Sequence, residues 1–348
     1  MPSARPSVYL SRRLPARVMD ALGADFALSF HDSDRQPARA ELLAAVPGVD
    51  GFLATITDRV DDELLDAAGP TLRVVANYAV GYDNIDVAAL TARGVVVTNT
   101  PGVIAAATAE LAIALMLALG RNVAAGDRRL RTGEPWAWTP TFMLGWGLEG
   151  RRLGIVGLGE IGTRVAALAT AHGMEVVYAG RGDGPGAGDG PGAGDRSAAP
   201  DRAAPPDRPA PPYPRLPLDE LLATSDVISL HCPLTPATRH LIGRRELALM
   251  RPDAALVNTS RGPVVDEAAL VEALRDGVIG GAALDVFEHE PELHPGLIAF
   301  ENVVLTPHFG SSTVAVREAM GMRCVDALRA VLLDRRLPVN ALNAVELA

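Results

Sequence analysis

Leu153-Gly154-Ile155-Val156-Gly157-Leu158-Gly159-Glu160-Ile161-Gly162 is the stretch whose reading decides the fold. Residues 152–157 read as a buried strand that runs straight into a G-x-G-x-x-G turn. Each glycine has a separate job in such a turn. Gly157 permits the tight reversal, Gly159 lets the backbone approach a pyrophosphate, and Gly162 lets the next helix pack closely on the strand. Residues 163–172 supply that helix, whose N-terminus offers unpaired N–H groups and a positive dipole end to phosphate. Strand, glycine turn and helix in this order predict a dinucleotide-binding α/β unit.

The next strand, residues 174–179, ends in Gly180-Arg181-Gly182. An NAD site usually places an acidic residue there for the ribose hydroxyls. Arg181 stands in its place and is suited to a 2′-phosphate. The expected cofactor is therefore NADP(H), with NAD(H) left open because Asp183 is within reach of a ribose.

Downstream come Arg261 in NTSRG, Glu290 in DVFEHEP and His308 in LTPHFG. Each follows an apolar strand candidate (residues 254–258, 281–286 and 302–306), and open parallel sheets bind ligands beyond the carboxyl ends of their strands. Reduction of a 2-keto acid requires a cation for the carboxylate and a proton donor for the nascent alkoxide. Arg261 offers a planar fork, His308 an imidazole that titrates near neutral pH, and Glu290 a carboxylate that orients and charges that imidazole. Taken singly, each is as well explained as a turn residue, a surface carboxylate or a satisfied loop histidine. His31, His172, His231, His240, His289 and His294 are read as structural or surface residues, and no metal site is expected.

Before the glycine turn, strand-like segments (residues 7–12, 50–55, 72–80 and 94–100) alternate with helical ones (15–22, 58–68 and 86–92), which argues for a second parallel sheet. Residues 108–120 form a strong apolar helix and 315–333 a long amphipathic one. The latter is expected to pack back on the N-terminal segment. Residues 182–214 contain GDGPGA twice in tandem followed by a Pro/Ala/Arg/Asp tract, and are expected to be a disordered insertion.

The chain has 348 residues, 48% of them hydrophobic, with 32 basic residues, all Arg, against 42 acidic ones. A net charge of −10 is a poor match for nucleic acid or an anionic membrane. Cys232 and Cys324 lack metal-ligand spacing and are read as reduced thiols. The first fifteen residues have no apolar h-region, and a cytoplasmic location is expected.

On the stretches VANYAVGYDNID (75–86), TNTPGV (98–103), TAELAIAL (108–115), GIVGLGEIG (154–162), NTSRGPVVDE (258–267), GAALDVFEHEP (281–291) and LTPHFGSST (305–313), the chain resembles the D-isomer-specific 2-hydroxyacid dehydrogenases over nearly its whole length. It is most similar to the glyoxylate/hydroxypyruvate reductase branch. The resemblance implies a Rossmann-type doubly wound nucleotide domain (101–310) inserted into a smaller flavodoxin-like α/β substrate domain (1–100 with 311–348). It implies Arg261, Glu290 and His308 as the catalytic set, and Val80 and Gly81 as backbone donors to the substrate carboxylate. Leu158, Gly159, Glu160 and Ile161 would meet the pyrophosphate, and Gly180, Arg181 and Gly182 the ribose or its phosphate. Cys232 and Pro233 would line the adenine side. Thr259, Ser260, Asp285 and Gly310 would face nicotinamide or substrate. Trp138 would reach the substrate pocket of the other subunit in a homodimer formed through the nucleotide domain. The runner-up is a D-3-phosphoglycerate dehydrogenase or another D-2-hydroxyacid dehydrogenase. A phosphorylated substrate would call for extra cations, for which only Arg59 stands out near the Ile56 loop. A non-catalytic dinucleotide sensor is a third reading.

Overall fold

A computed structural model describes residues 5–33, 35–180 and 212–347. Arg181, Gly182 and most of the expected insertion lie outside the described residues. The chain divides into two compact units, residues 1–104 with 311–348, and residues 105–310.

The first unit begins β1 (Ser7–Leu10), α1 (Ala16–Asp25), β2 (Ala27–Phe30), α2 (Arg39–Ala45), β3 (Gly51–Ala54), α3 (Asp62–Ala68), β4 (Val74–Asn77), α4 (Val87–Ala92) and β5 (Val96–Thr98). Its all-parallel sheet has the order β2-β1-β3-β4-β5, the flavodoxin-like order, which switches direction between β1 and β3. The C-terminal helix, Val314–Leu332, packs Met320, Val325 and Leu328 into one face of this sheet with Val8, Leu10 and Val74. The other face buries Phe52, Val60, Leu64 and Val97. β3 and β4 are buried on both sides and are legible as unbroken apolar runs. β2 is an edge strand with alternating exposure and carries no such signal. The unit runs to Ile104 rather than residue 100 because Thr100 N donates to Ala79 O at 2.9 Å and Asn340 Nδ2 to Asn99 O at 2.6 Å. Val103 and Ile104 also pack on its core.

Asp58 does not begin α3. It is buried, and its Oδ2 accepts from Ser11 Oγ, from Thr55 N at 2.6 Å and from Thr55 Oγ1 at 2.9 Å. Asp61 caps the helix instead, accepting from Leu64 N at 3.3 Å.

The second unit contains α5 (Ala105–Gly120), α6 (Val123–Arg131), β6 (Arg152–Val156), α7 (Glu160–Ala171), β7 (Glu175–Ala179), α8 (Leu218–Thr224), β8 (Val227–Leu230), α9 (Arg244–Leu249), β9 (Ala255–Asn258), α10 (Glu267–Arg275), β10 (Gly281–Leu284), α11 (Pro295–Ile298) and β11 (Val303–Leu305). Its parallel sheet runs β11-β10-β9-β8-β6-β7, so the chain reverses its direction of travel between β6 and β8. One face is covered by α5 and α7, with Met116, Ile155 and Val165 inside. The other holds Leu221, Leu256 and Leu270. Among the described residues no single helix is long and apolar enough to cross a membrane.

Candidate active site

The strand register of the second unit aligns one row of residues across all six strands: Ala179, Val156, Leu230, Asn258, Leu284 and Leu305. The residues just beyond that row share the carboxyl-terminal edge of the sheet. They are Gly180, Gly157, His231, Thr259, Asp285 and Thr306, and most of the expected site residues of this unit lie on the loops that follow.

Gly157 sits at the reversal between β6 and β8 with φ +95°. A Cβ there would stand 2.8 Å from Cys232 N, so only glycine fits. A Cβ on Gly162 would stand 2.2 Å from Gly157 O, which holds α7 tight against the turn. A Cβ on Gly159 would meet nothing within 4 Å; Gly159 is exposed at the N-cap of α7. Backbone N–H groups are thus presented to open space where a pyrophosphate would bind. The Thr259 hydroxyl is buried at the same edge with no partner among the described residues. A turn built around two obligatory glycines, an open third and an orphaned hydroxyl fit a dinucleotide. Cys232 is buried and Pro233 exposed beside the turn.

Arg261 lies three residues beyond β9. Asn258 organises its loop. Asn258 Oδ1 accepts from Ser260 N at 3.0 Å and from Ser260 Oγ at 2.8 Å, while Asn258 Nδ2 donates to Arg261 O at 2.9 Å. The Ser260 hydroxyl is therefore spent on the loop. Gly262 lies directly on the segment after β10; a Cβ there would stand 1.9 Å from Phe287 C. The loops carrying Arg261 and Glu290 are in this way packed backbone to backbone.

Glu290 and His308 meet. His308 Nδ1 donates to Glu290 Oε2 at 2.6 Å, and both side chains are partly exposed. Glu290 Oε1 accepts from Phe287 N at 3.0 Å, which fixes the carboxylate. His308 has φ +49°, a left-handed conformation that costs on the order of 1 kcal/mol for a residue with a side chain. Asp285 holds it there. Asp285 is 1% exposed and accepts from Thr306 Oγ1 at 2.7 Å, Phe309 N at 3.0 Å and Gly310 N at 2.9 Å. Its backbone O accepts from His308 N at 2.8 Å. Burial pushes the Asp285 carboxyl above its ordinary range, and these hydrogen bonds oppose the shift. Gly310 leaves room for that carboxylate and for Thr108.

Several supporting residues escape a reading of the sequence. Glu267, buried and raised in pKa by that burial, accepts from Glu288 N at 2.5 Å and steadies the loop of Glu290. Arg215 returns alongside β7, with its guanidinium 2.5 Å from Gly180 O. It stands at the strand end where Arg181 was expected to act. Asn258 and Thr306 read only as strand-end polar residues. Trp138 is 78% exposed on a loop beyond α6. In the first unit, Asn99 Nδ2 donates to Val80 O at 2.7 Å and Asn77 Nδ2 to Gly81 O at 2.8 Å. Arg59 is paired with Asp61 at 2.9 Å and is not the spare cation the sequence suggested.

The family profile described as "D-isomer specific 2-hydroxyacid dehydrogenase, NAD binding domain" matches residues 113–188 and 195–310. The chain belongs to this family. It is 43% identical over 321 residues to a glyoxylate reductase of Thermococcus litoralis, covering 91% of this chain and 90% of that one. Among solved structures, a Thermus thermophilus protein superposes with a TM-score of 0.84 at 42% identity, covering 97% of this chain and all of its own. An NADPH-dependent glyoxylate/hydroxypyruvate reductase of Sinorhizobium meliloti, in complex with NADP and malonate, superposes with a TM-score of 0.78 at 31% identity, covering 97% of each chain. Membership makes the chain an NAD(P)-dependent oxidoreductase of two parallel α/β sheets, one of them of Rossmann type.

Proposed function

We propose that this dehydrogenase reduces glyoxylate or hydroxypyruvate to glycolate or D-glycerate, with NADPH preferred over NADH. The observation that carries the reading is the 2.6 Å contact between His308 and Glu290, held at the same sheet edge as the Arg261 loop. The Glu290 carboxylate accepts from Nδ1–H and fixes the orientation of the ring. The opposite ring nitrogen, Nε2, then carries a proton for the substrate oxygen. Arg261 pairs with the substrate carboxylate through charge-assisted hydrogen bonds of about 1.5–3 kcal/mol each. Within the first unit, the N–H groups of Val80 and Gly81 have no acceptor among the described residues, while Asn99 and Asn77 pin their carbonyls, which leaves both able to donate to a carboxylate. A bound dihydronicotinamide supplies the hydride. With that hydride delivered to the carbonyl carbon, His308 would give its Nε2 proton to the carbonyl oxygen and be left neutral.

The NADPH preference rests on basic groups at the end of β7, Arg181 in sequence and Arg215 in position. A homodimer is proposed from the exposed apolar side chains between residues 123 and 144: Val123, Leu130, Trp136, Trp138 and Leu144. Trp138 would be the one to reach the other subunit's substrate. A cytoplasmic location completes the reading. The test is a panel of 2-keto acids assayed with NADPH and NADH in parallel. Turnover of glyoxylate and hydroxypyruvate, faster with NADPH, is expected. Tight cofactor binding with no oxidation by any keto acid would sink the proposal in favour of a dinucleotide sensor.

A further inference from the structure

The first unit has a concavity of about 280 Å³ lined by Arg12, Arg13, Thr55, Ile56, Tyr78 and Arg317, together with Leu14 and Pro15. Three of its eight lining residues are Arg and none is acidic. It lies where the loops after β1 and β3 diverge, the reversal point of that sheet and the place where open α/β sheets take ligands. The two loops are fastened to each other by buried Asp58, which accepts from Ser11 on one and Thr55 on the other.

The three guanidiniums differ in what they are committed to. Arg13 is paired with Asp32 at 2.8 Å and lies 5.0 Å over the ring of Phe30. Among the described residues Arg12 donates only to the neighbouring Ser11 O, at 3.0 Å. Arg317 donates to Ser312 Oγ at 2.9 Å and lies 5.9 Å over the ring of Tyr78. Among the described residues no carboxylate comes within 4.0 Å of Arg12 or Arg317. Each keeps N–H donors to spare, since a guanidinium has five. Tyr78 brings no competing charge: burial pushes its phenol up to about 12, and its OH donates to Arg317 O at 2.6 Å. The size suits a small ion or the end of a small metabolite, below the ~300 Å³ at which pockets for drug-sized ligands begin.

We propose that this cavity binds a small anionic group, carboxylate or phosphate, through Arg12 and Arg317. The ligand is a free small anion, so the site does not depend on the proposed reductase activity.

The experiment titrates inorganic phosphate, and separately malonate, into the full chain without cofactor at constant ionic strength, followed by calorimetry. Arg12→Gln, Arg317→Gln and the charge-retaining Arg12→Lys are compared with Arg261→Gln. Saturable binding weakened about tenfold or more by either Gln change, the loss of one charge-assisted bond, but kept in Arg261→Gln, supports the site. Absence of saturable binding, or binding lost in Arg261→Gln and kept in the other variants, overturns it. The calorimetric test needs no turnover, so its failure and the failure of the reductase reading are distinguishable.

Discussion

His308 and Glu290 occupy their positions through constraints that can be tested one atom at a time. His308→Ala removes the proposed proton donor and is expected to lower kcat by ~10² to 10⁴. Glu290→Gln keeps the shape and an acceptor for Nδ1–H but removes the negative charge, and its kcat is expected to fall less. A His308→Ala enzyme with near-normal kcat would remove the imidazole from the chemistry. His231 offers a different test. Its Nε2 bonds to Ser229 Oγ at 2.8 Å, its Nδ1 is buried without a partner among the described residues, and burial lowers its pKa to about 4. The unfolded chain, with an imidazole near 6.5, takes up a proton in the interval that the folded chain refuses. Stability is therefore full above pH ~6.5 and falls as pH drops toward ~4, by about 3 kcal/mol in all. His231→Gln abolishes that dependence. Urea midpoints measured at pH 7 and pH 5 are expected to converge between variant and parent as pH falls. Parallel curves would mean His231 is not buried in its neutral form.

Elements reach the site through backbone contacts that tolerate no side chain. Gly262→Ala would drive a Cβ into the Phe287 backbone. This is expected to cost upwards of ~2 kcal/mol and to displace Arg261 from the Glu290 loop. Thermal melting and kcat/KM should fall together; a stable variant with full activity would mean that the two loops are not locked. This also explains what the sequence could and could not convey. β3, β4, β8, β9 and β10 are buried on both faces, so each reads as a short, mainly apolar run. Arg261 and Glu290 follow β9 and β10, and the Gly-x-Gly-x-x-Gly turn and His308 follow β6 and β11, which are apolar runs buried over most of their length. α6 escaped because it buries none of its residues and so shows no core-facing stripe. Arg12 and Arg317 escaped for a different reason. They are 305 positions apart, and only the return of the C-terminal helix to the first sheet places them in one cavity. Arg59 looked available because its partner Asp61 was read as part of a helix.

At the scale of the whole molecule, the stretch between residues 180 and 212 departs most from an economical two-sheet chain. Its flanks are close together. Tyr178 N donates to Pro214 O at 3.0 Å, Leu216 N to Tyr178 O at 2.9 Å, and Arg215 to Gly180 O at 2.5 Å. The chain therefore leaves β7 and returns beside it, and a short turn would join the same two ends. Repeated Gly/Pro/Ala/Asp sequence has little apolar surface to bury, and closing a shorter loop costs less entropy, by about 0.6 kcal/mol for each halving of length. Deleting residues 184–209 is thus expected to leave the melting temperature within a few degrees and kcat with glyoxylate within a few-fold. The KM for NADPH is the sensitive quantity, because Arg181 and Arg215 remain on either side of the new junction. If that KM is unchanged while Arg181→Asp in the intact chain raises it and lowers the KM for NADH, the 2′-phosphate is read by the flanks alone. A collapse of kcat on deletion would instead give the excised residues a part in the working enzyme.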